Sequence, residues 1–145
     1  MNIFQTDYSN RMREWKSLRI EIRGCHLKQA CVMVDDWWQK APLINHHLHW
    51  ADMEAWPDPW TLLSENTYCT LARALGMCYT LLLSDITDVN IIMASDIQGE
   101  DHNLVIVGNA HYVLNYHPKS VTDINITDFR SIRTLNLDLI KQKIA

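Results

Sequence analysis

The stretch "ENTYCTLARALGMCYTLLL", Glu65 to Leu83, decides how the chain is read. A short polar lead-in meets Cys69, and an apolar run follows. Leu71, Ala72, Leu75, Cys78, Tyr79 and Leu82 recur at helical spacing, and Ala74, Gly76 and Met77 make the helix apolar nearly all round. It is therefore a central, buried helix, capped by Asn66 or Thr67 and ended by Ser84-Asp85. A cysteine in its first turn sits where unpaired backbone N–H groups favour a thiolate and can stabilise an oxyanion.

Upstream, "SLRIEIR" alternates apolar and charged residues and predicts a half-buried strand, or else the end of an N-terminal helix. Residues 1–15 are polar and predict a flexible arm or a short helix. "CHLKQACVMVDDWWQKAP" predicts a helix with Leu27, Ala30, Cys31, Val34, Trp37 and Trp38 on its apolar face. Between the two helices lies "LINHHLHWADMEAWPDPWTLL". Pro57 and Pro59 break any continuous helix there, with a single turn starting at Pro59. Its tryptophans either cover the buried helix or wall a cleft.

Downstream the pattern turns to β. "VNIIMAS" is a short strand, and "HNLVIV-GN-AHYVLNY" is a hairpin about the dipeptide Gly108-Asn109. Val121 to Ile126 offers one more strand, and 127–145 a terminal helix or tail. The whole, 1–145, reads as one α+β domain: a central helix packed on a small antiparallel sheet.

A two-residue turn sets residue 107 opposite 110 and, rung by rung, His102 opposite Asn115. Asn115 would then orient the His102 ring while His102 activates Cys69. Against this, a cysteine on an apolar helix is commonly a small core residue, His102 follows the polar "GED", and Asn115 precedes a turn at Pro118. The chemical rival is a zinc site built from His46, His47 and His49 with Cys69 or His102, but no second half with tight ligand spacing exists. The expectation is no metal and no cofactor.

"WPDPWTLLSENTYCTLARALGMCYTLL" and "HNLVIVGNAHYVLNYHP" together resemble the transglutaminase-like branch of the papain-like cysteine fold, over roughly residues 56 to 118. The resemblance implies that Cys69 matches the nucleophile, His102 the base and Asn115 the residue that orients it. Thr-Tyr-Cys stands where that family has Gly-Asp-Cys, and Asn115 where it has Asp. The implied chemistry is acyl transfer from an amide, by a cysteine hydrolase or acyltransferase. Trp56, Trp60 and Tyr68 would line the cleft, and a tryptophan, Trp50 among the choices, would help hold the oxyanion. The string "LHW…WPDPW.LL…N.YC.LARALGM.YTL" is also similar to small proteins of tailed bacteriophages. That implies a virion or assembly role in the tail or baseplate, with other virion proteins as partners. The two functions left open are an active enzyme on a protein or peptide substrate and an inactive structural module.

The charge balance, net −4, argues against a nucleic-acid partner recruited by a basic face. No apolar run is long enough to cross a membrane. The N-terminal residues lack the pattern of a signal peptide, and the four cysteines form no CxxC pair. Free thiols and a cytoplasmic setting, host cytoplasm or virion for a phage-encoded chain, are expected.

Overall fold

A computed structural model describes residues 2–44, 48–135 and 137–145. Its first surprise is at the N-terminus. A 3-10 turn, Ile3–Gln5, leads into helix α1, Tyr8–Arg23, capped by the Asp7 side chain. Arg11, Trp15, Leu18 and Ile22 form its buried stripe at helical spacing. The alternation at 18, 20 and 22 had pointed to a strand, yet Ile20 is 64% exposed. Three apolar residues spaced by two cannot distinguish the periods. Trp15 and Arg11, one and two turns earlier, can. Phe4 and Trp15 are buried, so of the two expectations for this segment, a flexible arm or a short helix, residues 2–15 follow the helix.

Helix α2, Leu27–Trp38, buries Ala30, Cys31, Val34 and Trp38 of the apolar face read from the sequence, but Leu27 is exposed and Asp35 is buried. Helix α3, Pro59–Glu65, starts with Pro59 in its first turn and the Asp58 side chain as cap. Asn66 does not cap the central helix. It ends α3 in the left-handed region, at φ 54°. The central helix α4, Thr70–Leu83, begins later than expected, with Cys69 as its N-cap rather than in its first turn. Leu71 through Leu82 are all buried. Gly76 is required within it: a Cβ there would lie 2.5 Å from atoms of the Trp38 ring, which sits close against the helix at this point.

The sheet has four antiparallel strands, β1 Val89–Ser95, β2 Asp101–Val107, β3 Tyr112–Leu114 and β4 Arg130–Thr134, in the order β3-β2-β1-β4. The last strand is not Val121–Ile126, where turns and a 3-10 segment at Ile126–Asp128 lie instead. The 127–145 region holds β4 and then α5, Leu137–Gln142, anchored by the buried Ile140.

The sheet has two buried faces. Val89, Ile91, Val105, Val107 and Leu114 join the main core around α4. Ile92, Ala94, Leu104 and Val113 form a smaller cluster on the other side, covered by Tyr116, Ile124, Ile126 and Phe129. No helix among the described residues is long and apolar enough to cross a membrane.

Candidate functional site

Cys69 lies at the N-terminus of α4 and is only 4% exposed. Its Sγ accepts from the backbone N–H of Ala72 at 3.5 Å, so the thiol caps its own helix. The residue before it, Tyr68, is fully buried and accepts from Ile44 N–H through its carbonyl. Beside it, Leu43 pairs with Tyr68 in an isolated parallel bridge.

The register of the hairpin differs from the expected one. Val107 pairs with Tyr112, Ile106 with Val113 and Val105 with Leu114. The loop has four residues, 108–111, not two, and Gly108, Asn109 and Ala110 all have positive φ. The shift of two residues removes the His102–Asn115 rung.

Facing matters more than register. Asn103, Val105 and Val107 turn towards α4, since Asn103 bonds Thr70 and the two valines join its core. Their neighbours turn away, because successive side chains on a strand point to opposite faces. His102 therefore projects to the far side of the sheet from α4. There its Nε2 lies 2.9 Å from Asp96 Oδ2, and its ring packs edge-on against Tyr116 at 4.9 Å. Phe129 lies beyond, at 6.1 Å. The hydrogen bond from His102, followed by the backbone N–H of Glu100, holds the Asp96 carboxyl below its ordinary pKa.

Asn115 does reach α4, but as a structural knot. It follows β3 in the left-handed region, at φ 68°, and is 5% exposed. Its N–H donates to Asp35 Oδ1 at 2.8 Å. Its Nδ2 donates to the carbonyls of Thr70 at 2.9 Å and Asn103 at 2.8 Å. Its Oδ1 accepts from Arg73 Nε at 2.7 Å. All four bonds go to groups other than His102. Burial pushes the Asp35 carboxyl above its ordinary pKa, against the lowering effect of the Asn115 N–H.

The side chains that meet between α4 and β2 were not foreseen. Asn103 Nδ2 donates to Thr70 Oγ1 at 2.9 Å, and Trp50 Nε1 donates to Asn103 Oδ1 at 2.8 Å. Trp50 was among the tryptophans expected near Cys69, whereas Thr70 and Asn103 carried no chemical signal in the sequence and only their neighbours, Cys69 and His102, did. The expected cleft residues are dispersed. Trp56 is buried and gives its indole N–H to the His49 carbonyl. Trp60 is 40% exposed on α3. Tyr68 belongs to an aromatic cluster with Phe4 and Trp38. His46 and His47 of the zinc alternative lie outside the described residues.

A largely buried helix, opened by a cysteine and laid on one face of a small four-stranded antiparallel sheet, is a transglutaminase/papain-like fold. Among solved structures, LapG of Legionella pneumophila, which has a transglutaminase-like cysteine protease fold, superimposes with a TM-score of 0.71. The match covers 96% of this chain and 89% of that one, at 14% sequence identity, so it is a likeness of fold. No protein-family model matches the sequence, and neither does any curated protein.

Proposed function

We propose that this chain is a protein-binding module built on the transglutaminase-like fold and without a working nucleophile–base pair. The contact between Thr70 and Asn103 carries this reading. Where α4 meets β2, the facing groups are an alcohol and a carboxamide. Neither takes up a proton near neutral pH, so neither activates a thiol. Cys69 is one residue from this contact, with its sulfur accepting the Ala72 N–H, and the imidazole read as its base lies on the far side of the sheet. His102 would have to cross the sheet to reach it. Leu43 and Ile44, 46% and 56% exposed beside Tyr68, give the same end of α4 an apolar surface for a partner. The resemblance to tailed-phage proteins makes other virion proteins the first partners to try.

The competing reading is amide acyl transfer, with Cys69 attacking, His102 moving the proton and Asn115 orienting the ring. The fold and the place of Cys69 at a helix N-terminus favour it. Iodoacetamide alkylation of Cys69, followed by mass spectrometry from about pH 4 to about pH 9, separates the two. The binding-module reading expects slow reaction below about pH 8, unchanged in His102→Ala. Fast reaction near pH 6, absent in Cys69→Ser and slowed in His102→Ala, would overturn it and establish a thiolate–imidazolium pair.

A further inference from the structure

We propose that Asp96, Glu100 and His102, at the tip of the β1–β2 hairpin, form a binding site for a divalent transition-metal ion of the zinc type. The proposal is independent of the reading above, because it concerns the other face of the sheet. One ligand atom from each of the three residues lies within 4.8 Å of the other two. Two of them already stand close, with His102 Nε2 and Asp96 Oδ2 2.9 Å apart.

The hairpin fixes these groups in place. Asp96 Oδ1 accepts the N–H groups of Gln98 at 2.9 Å and Glu100 at 3.0 Å. That leaves Oδ2 directed at the imidazole. Tyr116 holds the His102 ring from the side. A ligand whose orientation is set by its surroundings loses little freedom on binding. The Glu100 side chain is exposed, so it is free to swing in.

Distances test the fit. Zinc ligands at about 2.0–2.2 Å in a tetrahedron lie roughly 3.3 Å from one another. Asp96 and His102 need to spread by a few tenths of an ångström. Glu100 needs to close by no more than about 1.5 Å, within reach of a rotamer change. The ion would replace the proton that His102 shares with Asp96. An imidazole beside two carboxylates selects zinc-type ions over magnesium or calcium, which take oxygen ligands. Asp96 also borders a shallow cleft of about 280 Å³ that Tyr116, Asp123, Asp128 and Phe129 line. Three protein ligands with an open position leave room for water or a partner's side chain.

The test is calorimetric titration of the full chain, freed of metal by chelation, with zinc chloride alone. One zinc per chain is expected, with binding lost in His102→Ala and weakened at least tenfold in the exposed variant Glu100→Gln. On zinc addition the His102 Nε2 resonance should shift in the imidazole 15N spectrum. Three results would overturn the proposal: no saturable binding; binding that survives both substitutions, which would place the ion on other histidines or cysteines; or loss only in Glu100→Gln with a silent His102 ring.

Discussion

Thr80 satisfies two buried tryptophans with one oxygen. Its Oγ1 accepts from Trp15 Nε1 at 2.8 Å and Trp38 Nε1 at 2.9 Å, and it donates to the Gly76 carbonyl at 2.7 Å. Both lone pairs and the proton are used, and the site is fully buried. Thr80→Val keeps the volume and removes both acceptors. Two indole N–H groups left unpaired cost about 2–5 kcal/mol, which a urea midpoint would register, and Thr80→Ser should recover most of it. Asn115 poses the sharper question, because its Nδ2 donates to two backbone carbonyls. In Asn115→Asp an oxygen would face those carbonyls. The structural role predicts a loss of roughly 2–4 kcal/mol, softened by Arg73. A catalytic role predicts a tolerated change, since carboxylates orient imidazoles well. The sequence marked Asn115 as important but misassigned its partners. Its bond to Asp35 spans 80 positions, and no local pattern encodes such a contact.

Helices were legible where their apolar stripe was long, and ambiguous where it was short. The faces of α2 and α4 repeat over three turns or more, and both were anticipated. The end of α1 was sampled over only two turns, which left it open between a strand and the end of an N-terminal helix; it is the helix. Helix α2 also buries a carboxyl group that hydropathy alone would place outside. Asp35 is 1% exposed, with Oδ2 unpartnered and Oδ1 accepting from Asn115 N–H and Gln39 Nε2. Its pKa is raised because burial disfavours the anion. The native state therefore keeps this proton over a pH range in which the unfolded chain has released it. By linkage, its contribution makes stability fall as pH rises from the ordinary carboxylate value to the native one, and it is flat above that. Urea midpoints from about pH 4 to about pH 8 should show this slope in the wild type and lose it in Asp35→Asn. An equal slope in both would mean that Asp35 ionises as freely folded as unfolded.

At the scale of the molecule the sheet is a partition, and this is why the candidate triad could not be read from the sequence. In β1 and β2 both faces are buried, so apolar residues run on without clean alternation. A strand of that kind announces itself but does not say which side its polar residues take. His102 and Asn103 are neighbours in sequence, and a wrong choice of face exchanges them. The same partition divides stability. The α4 side holds the large core, while the other side holds four buried residues under turns and a 3-10 segment. Strand β4 is exposed along its whole length, pairs among the described residues with β1 alone, and meets it across a bulge between Met93 and Ala94. Native-state amide exchange should therefore be graded. The hydrogen-bonded amides of α4 and of the β1–β2 ladder should exchange only with global unfolding, whereas 119–134 should open locally, at least a hundredfold faster. Equal protection on both sides would make the covering segment part of one cooperative unit. His102, packed against Tyr116 and Phe129, reports on that boundary. Once zinc has bound there, protection at 119–134 should rise while that of α4 stays in step with global stability. A metal tying Asp96 to His102 stiffens the face it sits on, and the sheet separates that face from Cys69.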